Sequence, residues 1–291
     1  MEAKSPPTIS SRTLPSVESA TFLESSFFSR NSPEAALPSP ANVREQSAIQ
    51  NPTSHVGGDY GFKPVRYEHL GLIVKFGRAP EATVAEGQLL WALRRTLPTV
   101  PVPEVELRWQ YLGPAERVAI CQQLRDIILD YRRLRHAPGD FFLGHINREP
   151  LGDVIFTNAR LPPAGPFNSV VQPHDWLTMA IKTRIRPLWP GKELSEIPDP
   201  YRSRLPDDAK VDFTHSDLHP SNIMVSETSN KIIAVIDWRQ SGWYPDYWEF
   251  CKAEYTAEVY GEWMNTYIPI FLKEPECLEA WEFYPRFFGH W

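Results

Sequence analysis

Cysteine is scarce in this sequence. The three cysteines, Cys121, Cys251 and Cys277, are odd in number and far apart, and no C-x-x-C pair occurs. This pattern fits neither a disulfide framework nor a cysteine-based zinc site, because both need paired or closely spaced cysteines. We interpret all three as free thiols in a reducing compartment.

Long apolar runs are also missing. No run approaches the roughly 20 residues that a membrane-spanning helix needs, which predicts no membrane partner. The N-terminal segment is polar and carries Glu2, Glu18 and Glu24, so it fits neither a signal peptide nor an Arg-rich transit peptide. We therefore expect a cytoplasmic protein.

An excess of positive charge is absent as well. The chain has 30 lysines and arginines against 36 aspartates and glutamates, which gives a net charge of −6. A protein that binds the backbone of a nucleic acid needs a basic surface, so we predict no nucleic acid partner. The oligomeric state is not indicated by the sequence.

The sequence does contain enough apolar residues for a packed core. Its 42% hydrophobic and 12% aromatic content is typical of a globular protein, and 291 residues can hold one large domain or two lobes. Residues 1–55 contain seven prolines and twelve serines, which predicts a disordered Ser/Pro-rich tail. We assign residues 56–291 to one folded domain.

Strand patterns are few in the folded part, and helix patterns dominate its second half. Residues 69–77 (HLGLIVKFG) are typical of a strand and residues 79–97 of a helix. Apolar residues then repeat every three or four positions from Pro114 to the Pro138-Gly139 pair, and another helix is expected over residues 175–189. This order predicts an α+β fold with a small sheet lobe and a larger helical lobe.

The stretch THSDLHPSNIMVSETSNKIIAVIDW contains the strongest functional signal. NIMV and KIIAVI are β-branched runs separated by SETSN, so we expect an antiparallel hairpin. With Val225 paired to Ala234, Asn222 lies level with the next aspartate, Asp237, at the open end. Amide and carboxylate oxygens at such a position suit Mg²⁺. Asp217 lies on the loop that leads into the same end, where it can face a substrate hydroxyl.

These residues resemble a known family. H-S-D-L-H-P-S-N followed by I-D-W is similar to the catalytic core of the aminoglycoside phosphotransferase and choline kinase-like branch of the protein kinase-like fold. The resemblance covers roughly residues 65–290, and QSGWYPDYWEFCKAEY and VPVPEV resemble a fungal subgroup. It implies ATP- and Mg²⁺-dependent transfer of the γ-phosphate to a hydroxyl of a small molecule. It also implies that Asp217 is the base, that Asn222 and Asp237 bind Mg²⁺, and that His215 braces the loop.

The family also uses a strand lysine to bind the nucleotide phosphates and a helix glutamate to orient that lysine. Lys75 lies within the apolar strand pattern. Glu86 shares one face of the next helix with Leu90, Leu93 and Leu97, so its carboxylate is expected to be buried and to need a partner. Lys75 is the expected partner, and the two residues are the predicted nucleotide-binding pair.

Two features of the family are missing from the sequence. No G-x-G-x-x-G precedes Lys75. Between Pro103 and Gly113 the chain is too short for two further strands of about 5–6 residues each and a hinge that binds adenine. We therefore predict a truncated small lobe, about residues 56–108, beside a helical lobe of about residues 109–291. The gap is either a real loss or an error in the gene model, and the alternative function is a non-catalytic pseudokinase or binding module.

Two further questions stay open from the sequence. A metallophosphoesterase is a third possible class, because DLH resembles its D-x-H motif, but neither N-H-D nor N-H-E occurs and two-metal chemistry needs further ligands. The acceptor substrate is not indicated. Seven aromatic residues either offer cation–π surfaces to an amine or belong to the core; they are Trp243, Tyr244, Tyr247, Trp248, Tyr255, Tyr260 and Trp263.

Overall fold

The computed structural model describes residues 7–15, 25–51, 64–77, 83–97, 99, 109, 112–157, 161–226 and 229–288. The chain divides into two compact units. One comprises Pro15–Gly87, and the other comprises Met1–Leu14 together with Gln88–Trp291. Among the described residues, no helix combines the length and the apolar character that crossing a membrane requires.

Helices and two-stranded sheets alternate along the chain, which agrees with the predicted α+β class. The helices are α1 (Ser26–Asn31), α2 (Pro40–Gln50), α3 (Val84–Thr96), α4 (Pro114–Tyr131), α5 (Val171–Ile185), α6 (Trp248–Tyr255), α7 (Ile268–Phe271) and α8 (Leu278–Phe288). The strands are β1 (Thr8–Ile9), β2 (Val65–Tyr67), β3 (Leu72–Val74), β4 (Arg135–His136), β5 (Val211–Thr214), β6 (Ile223–Val225), β7 (Ile232–Val235) and β8 (Gly242–Pro245). Strands β1 and β4 pair in parallel, whereas β2–β3, β5–β8 and β6–β7 pair antiparallel.

Helices α1 and α2 lie where the sequence predicted a disordered tail. Pro40 occupies the first turn of α2, and the Ser39 hydroxyl accepts a hydrogen bond from the Asn42 N–H at 3.2 Å. Such a cap stabilises the beginning of a helix. Phe27 and Phe28 of α1 are buried. Composition averages over such caps and single apolar contacts, so it does not detect them; the boundary at residue 55 stays a prediction.

The lysine-bearing strand is shorter than predicted. Strand β3 ends at Val74, and Lys75 follows it instead of lying within it. A short 3₁₀ helix, Glu68–Leu70, precedes the strand and is capped by Gly71, whose φ of 57° is in the left-handed region that favours glycine. Helix α3 begins at Val84. Pro80, expected in its first turn, lies outside the described residues.

The two long helices of the larger unit form near their predicted positions. Helix α4 begins at Pro114 as expected, where the Glu116 carboxylate accepts a hydrogen bond from the Gly113 N–H at 2.7 Å. It ends at Tyr131, before the predicted Pro-Gly stop. Helix α5 begins four residues before its predicted start and ends at Ile185. Both helices bury apolar residues in the two hydrophobic clusters of this unit.

Strands β6 and β7 form the predicted hairpin with a different register. Met224, and not Val225, lies opposite Ala234, because a bulge follows Met224. The predicted pairing is therefore wrong by one residue. Asn222 is level with Ile236, whose N–H donates to the Asn222 carbonyl at 2.9 Å. The aspartate of the IDW triplet is the next residue, so it still lies at the open end of the hairpin.

Candidate active site

The side chain of His215 holds the loop between β5 and β6, residues 215–222. This side chain is fully buried. Its Nε2 contacts the Ile236 carbonyl at 3.0 Å, and its Nδ1 accepts a hydrogen bond from the Asp217 N–H at 3.2 Å. The two contacts select the neutral ring with its proton on Nε2. Burial lowers the pKa of His215, so the ring stays neutral and braces the loop, as the resemblance implied.

Asp217 and Asn222 are joined through the backbone of the loop. The Asn222 side-chain Nδ2 donates to the Asp217 carbonyl at 2.8 Å, and the His219 N–H donates to the same carbonyl at 2.9 Å. Because Nδ2 acts as the donor, the Asn222 Oδ1 is left as the acceptor or ligand atom. The Asp217 side chain is partly exposed. Its carboxylate is thus accessible while its main chain is held.

Asp237 lies at the open end of the hairpin in an uncommon backbone conformation. Its φ is 61° and its ψ 55°, in the left-handed region that few residues other than glycine adopt. Ser216, beside the predicted base, has a φ of 64°. Such conformations cost energy and tend to occur at functional sites. Trp238 supports the turn from the core side, since its Nε1 donates to the Val235 carbonyl at 2.7 Å.

Glu249 on α6 holds the same loop, and no role was predicted for it from the sequence. Its carboxylate is fully buried. One oxygen accepts the Ser216 N–H at 2.9 Å, and the other accepts the His215 N–H at 2.9 Å and the Tyr131 hydroxyl at 2.6 Å. Hydrogen bonds to an ionised carboxylate are stronger than neutral ones. Helix α6 also contains Lys252 and Glu254, so no signal in the sequence distinguished Glu249 from the other charged residues of the helix.

A buried ion pair supports the turn after Asp237. Lys252 Nζ lies 3.1 Å from Asp153 Oδ1, and neither side chain is exposed. The Trp248 Nε1 donates to the other Asp153 oxygen at 2.9 Å. Gln240, in the turn, accepts hydrogen bonds from Lys252 at 3.4 Å and from the Val154 N–H at 3.0 Å. These contacts tie α6 and the segment near residue 153 to the turn.

The predicted contact between Lys75 and Glu86 is present in the unit Pro15–Gly87. Lys75 Nζ lies 2.8 Å from Glu86 Oε1. Glu86 lies in the first turn of α3, where its N–H donates to the Thr83 hydroxyl at 3.1 Å. The glutamate side chain is 8% exposed and the lysine side chain 35% exposed. A function of this pair in nucleotide binding stays a prediction.

A metal ion at the hairpin would have few protein ligands. In the described part of the chain, no group of three or more His, Cys, Asp or Glu side chains is suited to hold a metal. Mg²⁺ is usually held by one or two carboxylates together with substrate phosphates and water, and not by a cage of protein groups. Asn222 Oδ1 and the Asp237 carboxylate are a donor set of that kind, so the residues fit Mg²⁺.

Two further predictions from the sequence concern the segment after Pro103 and the seven aromatic residues. The predicted gap between Pro103 and Gly113 falls mostly on residues 104–108 and 110–111, which lie outside the described residues. Five of the seven aromatic residues proposed as a cation–π surface are buried in the core, which favours the packing role for them; they are Trp243, Tyr244, Tyr247, Trp248 and Trp263. Tyr260 is 86% exposed.

Comparison with known proteins identifies the family. The sequence matches the phosphotransferase enzyme family (APH) over residues 63–268, more than two thirds of the chain. That range contains the five predicted site residues. No curated protein matches the sequence. The resemblance to aminoglycoside phosphotransferase and choline kinase-like proteins is therefore confirmed, whereas the fungal subgroup stays a prediction. This chain belongs to the APH phosphotransferase family, which implies a protein kinase-like fold.

Proposed function

We propose that this protein transfers the γ-phosphate of ATP, with Mg²⁺, to a hydroxyl of a small molecule. The observation that carries the proposal is the hydrogen bond from the Asn222 amide to the Asp217 carbonyl. It holds a partly exposed carboxylate and a metal-binding oxygen on one short loop. Phosphoryl transfer depends mostly on such positioning and on charge stabilisation.

Asp217 is the proposed base. Its N–H is bonded to His215 and its carbonyl to Asn222, so the main chain on both sides of the carboxylate is fixed. The carboxylate is free to orient an acceptor hydroxyl and to take its proton as the phosphate transfers. The carboxylate of Glu249 keeps the loop in place, because it accepts hydrogen bonds from the N–H groups of His215 and Ser216.

Asn222 and Asp237 are the proposed metal ligands. These two residues would hold Mg²⁺, which would neutralise the charge that develops on the transferred phosphate. The chain supplies one amide oxygen and one carboxylate for this purpose, both at the open end of the hairpin. The buried pair Asp153–Lys252 holds the turn after Asp237 through Gln240. This contact limits the movement of Asp237.

Lys75 and Glu86 are the proposed nucleotide-binding pair. The glutamate orients the ammonium group of Lys75, which binds nucleotide phosphates. The proposal includes the two lobes predicted from the sequence, a truncated β lobe near residues 56–108 and a helical lobe near residues 109–291. A cytoplasmic location and a small-molecule acceptor are part of it; no observation on the described residues favours the pseudokinase alternative.

The test follows the transfer of label from ATP labelled at the γ-phosphate to a panel of hydroxyl acceptors. We expect Asp217→Asn to lower kcat by about 10²-fold or more, in line with general-base contributions. The exposed aspartate Asp208 provides the matched control, and Asp208→Asn should leave kcat unchanged. Near-normal turnover by Asp217→Asn would remove Asp217 from the mechanism.

A binding experiment covers the case in which the acceptor is missing from the panel. Asp237→Ala should weaken Mg-ATP much more than metal-free ATP, because its carboxylate is proposed to act through the metal. Equal weakening of both forms would show that Asp237 has only a structural role. A wild-type chain that binds neither form would contradict the proposed function and support the pseudokinase alternative.

A further inference from the structure

A basic turn includes the last residues of helix α5 and continues beyond it. We define it as residues 182–192, with the sequence KTRIRPLWPGK. It contains four cations and no acidic residue, in a chain whose net charge is −6. Lys182 and Arg184 lie in the last turn of α5, where positive charge also complements the helix dipole. Arg186 and Lys192 lie beyond the helix, so the dipole does not explain them.

The tip of the basic turn is apolar and exposed. Leu188 is 78% exposed and Trp189 38% exposed. They lie between Pro187 and Pro190, and Leu188 is the last residue of a short 3₁₀ helix, Arg186–Leu188, that follows α5. Large apolar side chains at an isolated tip are not needed for the core of the protein. Trp beside Leu, with cations on both sides, is typical of segments that rest in the interface of a lipid bilayer.

A cavity of about 350 Å³ opens within the same turn. Its lining includes Arg186, Trp189 and Lys192, and also Glu193, the acidic residue that directly follows the basic turn. Arg186 has no acidic partner among the described residues. Lys192 contacts Glu196 at 3.4 Å, but both side chains are about half exposed, and such a pair is weak enough to exchange for another anion.

We infer that the basic turn binds phosphate head groups of anionic lipids at a bilayer surface. Arg186 and Lys192 would contact the phosphate, and Leu188 and Trp189 would enter the interfacial region. Soluble phosphate would account for the cations, but it would leave the exposed apolar tip without a function. The prediction of no membrane partner rested only on the lack of long apolar runs, and binding to a bilayer surface needs no spanning helix. The inference does not depend on the proposed catalytic activity.

The test measures co-sedimentation of the full chain with vesicles. We expect binding to vesicles of phosphatidylcholine with phosphatidylserine, little binding to phosphatidylcholine alone, and a decrease with added salt. Arg186→Gln with Lys192→Gln should lower the partition coefficient by roughly 30-fold, at near 1 kcal/mol for each cation at the surface. The control, Arg125→Gln with Lys273→Gln, removes the same charge from exposed positions elsewhere and should have a much smaller effect.

The apolar tip distinguishes a lipid from a soluble anion. Leu188→Ser should weaken vesicle binding, whereas Val259→Ser, at a position that is 64% exposed, should not. All four positions of the test and control pairs are exposed, so the melting temperature should not change. Thermal melting then checks that every variant is folded. Equal binding to neutral and anionic vesicles would overturn the inference, as would an equal loss of binding in the control pair. It would also be overturned if glycerol phosphate or RNA bound as tightly as the vesicles and Leu188→Ser did not change that binding.

Discussion

Two lysine–carboxylate pairs in this chain differ in their surroundings. Neither Asp153 nor Lys252 is exposed, and both have further hydrogen-bond partners in the core. In the other pair, Glu86 is nearly buried but the Lys75 side chain is 35% exposed. A buried charge needs fixed partners, so the first pair is structural. An ammonium group that solvent can reach is also accessible to a phosphate, so the second pair is suited to a ligand.

The comparison predicts its largest effect for Lys252→Met. Removal of one member of a fully buried pair leaves Asp153 uncompensated, which should cost about 3–5 kcal/mol of unfolding free energy. Denaturant unfolding measures this loss. The exposed Lys273 is the matched control, and Lys273→Met should change stability by less than about 0.5 kcal/mol.

A second change sharpens this prediction. Adding Asp153→Asn to Lys252→Met removes the unpaired charge but keeps an acceptor for the Trp248 Nε1, so part of the stability should return. If Lys252→Met alone costs less than about 1 kcal/mol, the pair does not carry the structural role assigned to it.

The next largest effect is expected for Glu249→Gln. The amide keeps one acceptor but places an NH₂ against backbone N–H groups, so at least one charge-assisted bond, worth about 1.5–3 kcal/mol, is lost. Hydrogen exchange should quicken at the amides of His215 and Ser216. The exposed Glu258 provides the control variant Glu258→Gln. Unchanged exchange at both amides would show that Glu249 does not hold the loop.

Histidines whose pKa is lowered by burial should also make the free energy of unfolding depend on pH. Burial lowers the pKa of His215, and it lowers that of His136 to about 4. The unfolded chain takes up protons on these rings below about pH 6.5 while the folded chain does not. The unfolding free energy should therefore fall as the pH drops from 6.5 towards 4, by up to about 1.4 kcal/mol per pH unit for His136, and the lowered pKa of His215 should add to the fall.

Unfolding at several pH values checks this dependence. His136→Asn should reduce the slope, whereas the same change at His69, which is exposed, should not. A flat profile between pH 6.5 and 5 in the wild type would contradict the prediction.

The smallest effect on stability is expected for Lys75→Met. The lysine is partly exposed, so the loss should be smaller than that for Lys252→Met, although the nearly buried Glu86 is left without this cation. Mg-ATP affinity should nevertheless fall by about tenfold or more, since a charge-assisted bond to phosphate is lost. Arg44→Met removes an exposed cation from the same unit and should leave affinity unchanged. Normal affinity in Lys75→Met would place the lysine outside the nucleotide site.

Local patterns were enough to predict much of the candidate site. The motif around Asp217 and Asn222, the hairpin that follows, and the first residue of α4 are set by residues close in sequence. The contact between Lys75 and Glu86 was also predictable, because a carboxylate on the apolar face of a helix needs a nearby cation. In each case the spacing of a few residues determines which side chains share a face.

Contacts between distant segments were decided only by the tertiary structure. Glu249 meets the loop at His215 and Ser216, and Asp153 meets Lys252 across 99 positions of the chain. Local geometry decided two further features, which composition does not predict. They are the bulge that changes the register of the hairpin and the helices α1 and α2. Sequence therefore determined the chemistry of the site, whereas packing determined which buried groups hold it, because a buried charge is stable only where the fold supplies its partners.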